Sequence, residues 1–223
     1  MQAKLALFDL DGTLVDTAPD FVLAANKLRS DQNLQPLPVD TIAEVVANGS
    51  IAVTEIALET TRKTGDFETH RKTLLKYYAN FLGTDSKIYP TLYDTLQELE
   101  KRAIPWGIVT NKPVAYAKPL LDILGLSSQL NCTALICPEH VNIPKPDPEG
   151  ILKVCSQLNI NARQCVYVGD HLRDIEAAQN ANAVSVAATY GYLAKDENPL
   201  NWKADHSVET PNQLSDLIQN LFA

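Results

Sequence analysis

The sequence predicts an α/β protein, a parallel sheet core flanked by helices with a helical domain inserted into it. Three observations carry this expectation. A short apolar run near the N-terminus empties into Asp9-Leu10-Asp11-Gly12-Thr13, a block of purely helical periodicity follows, and from Tyr89 onward apolar runs of strand length alternate with helical ones. Residues 4–10 suit a buried strand opening into a loop. Phe21, Val22, Ala25 and Leu28 then fall on one helical face, and Ile42, Val45 and Val46 on a second. A third helix is expected over 51–58 and a fourth carrying Leu74, Tyr78, Phe81 and Leu82. The alternation that follows predicts helix 91–102, strand 106–109, helix 114–124, strand 134–136, helix 148–158, strand 165–168, helix 172–181 and strand 184–187. The first strand has nothing to pair with unless it joins this later set. The helical block, residues 16–83, is therefore expected as an insertion into a core made of 1–15 and 84–223, with 16–19 and 83–86 as linkers.

Composition bounds the partners. A chain of 223 residues that is 45% hydrophobic and 21% charged can bury a full core. Its charges sum to 19 − 27 = −8, and no Lys/Arg run is dense enough to neutralise a phosphate backbone, so nucleic acid is not an expected partner. The same balance repels anions at long range, and a phosphate substrate would need a local cation to reverse the field. Cys132, Cys137, Cys155 and Cys165 have neither CxxC spacing nor the density of a disulfide scaffold, which suits a reduced, cytoplasmic setting. Asp9 and Asp11 interrupt the N-terminal apolar run before it could act as a signal peptide, and no stretch of roughly 18 apolar residues exists for a membrane span. A soluble monomer or homodimer is expected.

Parallel sheets bind ligands at the carboxyl ends of their strands. Those ends carry Asp9 and Asp11, then Thr110-Asn111-Lys112-Pro113, then Gly169-Asp170-His171-Leu172-Arg173-Asp174, and Pro144-Lys145-Pro146-Asp147-Pro148 places a lysine in a stiff loop between them. Asp9 and Asp11 can face one pocket, with Gly12 allowing a tight turn and exposing backbone N–H donors. An ionised carboxylate needs no general base to attack phosphorus, so one acid can be the nucleophile and the other move the proton. Asp9 and Asp170 are hard oxygen ligands suited to Mg²⁺. Lys145, the Thr110 hydroxyl and nearby backbone N–H groups would hold the phosphate oxygens. Singly, each has an ordinary explanation: acids after a strand cap helices, one lysine is a surface lysine, and Asp174 is a first-turn helix acid.

Together and in this order, the DLDGT, VTN, PKPDP and VGDHLRD segments resemble the four motifs of the haloacid dehalogenase superfamily, and the helical insertion after the first resembles its C1-type cap on a Rossmann-like core. The resemblance implies Asp9 as nucleophile and metal ligand and Asp11 as general acid/base with its backbone carbonyl on the metal. It implies phosphate binding by Gly12, Thr110, Asn111 and Lys145, and metal binding by Asp170 and Asp174. Dehalogenases need no acid two residues after the nucleophile and phosphatases do, so Asp11 points to an Mg²⁺-dependent phosphomonoesterase acting on a small organic phosphate.

Phosphoglycolate phosphatases look most similar. ALICPEHV and YGYLAKDENPLNWKAD resemble a bacterial branch in which some members act on N-acetylmuramic acid 6-phosphate. A hexose phosphomutase of the same fold is a further alternative; a non-enzymatic phosphate-sensing module is disfavoured because it needs no cap. His171 and Arg173 depart from the Ser and Asn common at their places in the family, and either lines the site entrance or sits on a helix surface. Asn48, Gly49 and Ser50 resemble the cap loop that faces the active site, and their polar, uncharged groups suit a hydroxylated or carboxylated molecule better than a nucleotide base. Asn182, where relatives often have Gly, tolerates the left-handed conformation at a helix end.

Overall fold

A computed structural model describes residues 2–127, 130–194 and 197–223. In chain order the elements are β1 (Leu5–Phe8), β2 (Val15–Asp16), α1 (Ala18–Asp31), α2 (Val39–Val46), α3 (Gly49–Leu58), α4 (Phe67–Phe81), β3 (Lys87–Ile88) and α5 (Leu92–Lys101). There follow β4 (Trp106–Val109), α6 (Val114–Ile123), β5 (Ala134–Ile136), α7 (Glu149–Gln157), β6 (Cys165–Gly169), α8 (Leu172–Ala181), β7 (Val184–Ala188), β8 (His206–Val208) and α9 (Pro211–Leu221).

The main sheet has the order β5-β4-β1-β6-β7-β8, and every neighbouring pair is parallel. β1 lies inside because Leu5, Ala6, Leu7 and Phe8 are apolar on both faces and wholly buried, with Leu7 opposite Gly107 on one side and Tyr167 on the other. From β1 the chain steps outward through β4 and β5, then returns to lay β6, β7 and β8 on the other side. The switch point of this doubly wound sheet therefore falls between β1 and β6, where Asp9 and Asp170 follow. Helices cover both faces: Leu96 of α5, Leu120 of α6 and Ile218 of α9 pack in one layer, and Ile151 of α7 with Ala177 and Ala178 of α8 in the other.

Helices α1 to α4 form their own packed block, in which Ala25, Leu28, Ile42, Val53, Leu74 and Tyr78 are buried together and the Phe21 ring stacks on Tyr78 at 3.9 Å. Two devices clasp its base. β2 and β3 pair antiparallel, Val15 opposite Ile88 and Asp16 opposite Lys87. The buried Asp20 carboxylate accepts the N–H groups of Gly83 (2.7 Å), Asp85 (2.8 Å) and Ser86 (3.2 Å), and the Ser86 hydroxyl as well.

Several expected boundaries shift. The first strand is 5–8 instead of 4–10, because the Leu10 carbonyl already closes a turn by accepting from Leu14 and Val15. The break between the second and third helices is shorter than expected: Gly49 and Ser50 open α3, and Asn48 is its N-cap. Asn182 is left-handed at φ 58° and ends α8. The two-residue strands, β8 and α9 have no counterpart in the sequence-based expectation, which stops at strand 184–187. Lys195 and Asp196, within the YGYLAKDENPLNWKAD stretch, lie outside the described residues.

Candidate active site

The turn after β1 builds one wall. Gly12 sits at φ +75°, and a Cβ there would lie 2.1 Å from Asp170 Oδ2. Only glycine lets the first strand's turn approach the Asp170 side chain this closely. Its N–H is donated to the Val15 carbonyl at 2.9 Å, so the expected Gly12 donor to phosphate is spent on closing the turn, and the glycine's part is steric.

Asp9 follows β1 and keeps the ladder, its N–H donating to the Val168 carbonyl at 2.8 Å. Lys145 Nζ lies 3.0 Å from Asp9 Oδ1 and 2.6 Å from Asp174 Oδ1, and donates to the Tyr167 hydroxyl at 2.8 Å. The Tyr167 hydroxyl donates to the Val109 carbonyl at 2.7 Å, which turns its lone pairs toward the lysine. Asp174 Oδ2 accepts the His171 N–H at 3.0 Å, the capping geometry at the start of α8, so one carboxylate both caps a helix and faces the lysine. Asp170 accepts from the Thr13 hydroxyl at 3.1 Å and the Tyr192 N–H at 2.8 Å.

One oxygen from each of Asp9, Asp170 and Asp174 lies within 4.8 Å of the others. Burial, together with the negative charges of Asp9 and Asp174, pushes Asp170 well above the ordinary carboxylate range. Burial raises Asp9 too, against the pull of Lys145. Around Lys145 burial opposes the charge, but Asp174 and Asp9 outweigh it and its pKa is raised. Three carboxylates around one ammonium, Asp170 and Asp174 buried and Asp9 half-buried, leave an excess of negative charge. Hard oxygen donors with that excess fit a divalent cation such as Mg²⁺.

Asp11 stands apart from this cluster. Its Oδ1 accepts from the Thr17 hydroxyl at 2.6 Å and from Lys112 Nζ at 2.8 Å. Lys112 is buried and raised further by Asp11 and Tyr78 against the cost of burial, and it donates to the Tyr78 hydroxyl on α4 at 2.6 Å. Thr110 follows β4; its hydroxyl oxygen accepts the Lys112 N–H at 3.2 Å, and its side chain hydrogen-bonds Asp9. The side chain of Asn111, an expected phosphate ligand, braces the lysine loop: its amide donates to the Lys145 carbonyl at 3.0 Å and accepts the Lys145 N–H at 3.1 Å.

A cavity of about 270 Å³ opens from these acids toward the helical block and reaches Asn48, Gly49 and Ser50. The loop is uncharged, as the sequence suggests, but two guanidinium groups flank it. Arg71 of α4 donates to the Ser50 hydroxyl at 3.2 Å, and Arg173 of α8 to the Ala47 carbonyl at 3.1 Å and Asn48 Oδ1 at 3.3 Å. His171 also lines the cavity, and burial first, then Arg173, pushes its imidazole down to about 4.

Sequence reading missed Lys112, Tyr167, Thr13 and Arg71. Lys112 had a signal, since it shares a strand end with Thr110. Thr13 stood inside DLDGT and Tyr167 interrupts an apolar strand with a hydroxyl. Arg71 lies far along the chain from the DLDGT motif, and only the packing of α4 brings it to the cavity.

Residues 6–188, from β1 through β7, match the haloacid dehalogenase-like hydrolases, and the chain belongs to that family. Among its relatives, an N-acetylmuramic acid 6-phosphate phosphatase of Pseudomonas aeruginosa is 37% identical over 98% of this chain and 96% of its own. A phosphoglycolate phosphatase of Xanthomonas campestris pv. campestris is 39% identical over 95% of this chain and 94% of its own. The crystal structure of a predicted phosphoglycolate phosphatase from Haemophilus somnus 129PT superimposes with a TM-score of 0.84 at 27% identity, covering 99% of this chain and 98% of that one.

Proposed function

We propose that this chain is a phosphomonoester hydrolase working through an aspartyl-phosphate on Asp9, with residues 1–15 and 84–223 as catalytic core and 16–83 as a cap over it. The observation that carries the reading is the meeting of Asp9, Asp170, Asp174 and Lys145 at the switch point of the sheet. An Asp9 oxygen attacks phosphorus, the bond to the ester oxygen breaks, and that oxygen leaves with a proton from Asp11. Asp11 then takes a proton from water as its oxygen attacks the phosphorus, which frees the Asp9 carboxylate and inorganic phosphate. Lys145 holds Asp9 in place and balances its charge, while the Thr110 hydroxyl lies beside the transferring group. Mg²⁺ held by Asp9, Asp170, Asp174 and the Asp11 carbonyl would offset carboxylate–phosphate repulsion and polarise the phosphorus.

The substrate class is a small phosphate that also carries a carboxylate, as 2-phosphoglycolate and N-acetylmuramic acid 6-phosphate both do. Beyond the acids the cavity is walled by Phe21, Val46, Leu75 and Tyr116, apolar surface that a two-carbon acid would not reach and a sugar ring would cover. That wall favours the amino-sugar phosphate, on which relatives of matching length act by name. Four free cysteines, three of them buried, suit action in the cytoplasm, as a monomer or homodimer. The test is phosphate release from a panel of phosphomonoesters with Mg²⁺ and with chelator, followed by kcat/KM for the two carboxylated substrates and a nucleoside monophosphate. No release from any ester in Mg²⁺ contradicts the reading, and a tenfold preference for the nucleotide contradicts the substrate class.

A further inference from the structure

Four cations line the cavity, and three of them are answered by carboxylates of the chain. Lys145 is held by Asp9 and Asp174, Lys112 by Asp11, and Arg71 by Glu68, whose two oxygens take Arg71 Nε at 3.0 Å and Nη2 at 2.6 Å. Arg173 is different. Among the described residues no carboxylate lies within ion-pair distance of it. One of its terminal nitrogens is fixed by the Ala47 carbonyl and Asn48 Oδ1, neutral acceptors on the rim of the cap. A guanidinium is a planar fork of five donors, and a single anchored nitrogen orients it while leaving donors for a bidentate partner.

Its place in the chain sets what that partner is. Arg173 is three residues past Asp170 and one before Asp174, so it rises from the floor that holds the phosphate end and reaches the cap rim at Ala47. The anion it faces belongs to the part of the substrate that projects from the phosphate toward the cap.

We infer that Arg173 is the specificity-determining residue that receives the substrate's carboxylate, in a slot between the start of α8 and the Ala47–Ser50 segment, with Arg71 and the Ser50 hydroxyl at its far side. This rests on the phosphatase reading and adds to it the group that selects the ester. The same guanidinium already joins the core to the rim at Ala47 and Asn48, so the carboxylate is received where the two parts meet.

Two matched pairs of esters test it: 2-phosphoglycolate against its neutral amide, and N-acetylmuramic acid 6-phosphate against N-acetylglucosamine 6-phosphate, which lacks the lactyl carboxylate. For the wild type the carboxylated member should win by roughly 10- to 100-fold in kcat/KM, the range of a charge-assisted hydrogen-bonded pair, in at least the pair that contains the better substrate. Arg173→Gln should bring that ratio close to one, mainly through KM, and Arg173→Lys should keep part of it. Taking the ratio within each variant cancels any general loss of activity or of folded protein. A wild-type ratio near one, or an unchanged ratio in Arg173→Gln, overturns the inference alone. Failure of the wild type to release phosphate from any of these esters and from p-nitrophenyl phosphate overturns the phosphatase reading and the inference with it.

Discussion

At the scale of single residues, Lys145 is the point on which charge balance turns. Its ammonium faces two buried carboxylates, and removing it leaves both without a cation, a change that typically costs about 3–5 kcal/mol. Lys145→Met should therefore lower Tm in chelator, and Mg²⁺ should restore a larger part of that loss than the shift it gives the wild type, because a divalent ion can answer the same carboxylates. Equal Mg²⁺ shifts in the two proteins would mean that lysine and metal do not share the acids. Asp11 permits a second test. In the proposed mechanism Asp11 protonates the leaving oxygen, so Asp11→Asn should slow alkyl phosphates by roughly 10²-fold or more and p-nitrophenyl phosphate far less, since a phenolate leaves without help. Equal losses for both leaving groups would place Asp11 outside proton transfer.

At the scale of elements, the helical block is tied to the sheet at its two crossings, and Asp20 is the knot. Three backbone N–H groups of the return segment converge on its carboxylate. Asp20→Ala leaves those donors without their acceptor and should cost about 3 kcal/mol, read from urea unfolding; a loss under about 1 kcal/mol would show that water or the β2–β3 pairing replaces it. Tyr192 is a second tie, its hydroxyl accepting the N–H groups of Thr17 (2.6 Å) and Ala18 (2.7 Å) and donating to Asp16 (2.7 Å) while its own N–H holds Asp170.

Much of the architecture was legible at this scale because each core strand is a separate apolar run bounded by polar turn residues. β2 and β3 were not, since two residues carry no periodicity and each strand's partner lies on the far side of the whole helical block in sequence. α9 was legible in principle, with Thr210 and Pro211 at its start and Leu214 and Ile218 on one face, but the alternation had already closed a plausible sheet without it. The acids at the strand ends could be read because order along the chain maps directly onto strand ends. Which donors Gly12 and Asn111 keep free could not be read, since that depends on hydrogen bonds made after folding.

At the scale of the whole molecule, a metal held by Asp9, Asp170 and Asp174 would link its binding to folding. A cation that binds the folded cluster and not the unfolded chain raises stability with its concentration. Mg²⁺ should raise the Tm of the wild type, and Asp170→Ala should abolish the rise along with activity; a rise that survives Asp170→Ala would move the metal elsewhere. Chelator should silence turnover reversibly. The account's central claim is the covalent step on Asp9. Its most direct test is intact-mass and peptide analysis of acid-quenched turnover with a slow phosphomonoester in Mg²⁺. The account predicts a fraction of the chain heavier by one HPO₃ group, located at Asp9 and absent from Asp9→Asn. A modified group at any other residue, or full turnover by Asp9→Asn, would contradict it.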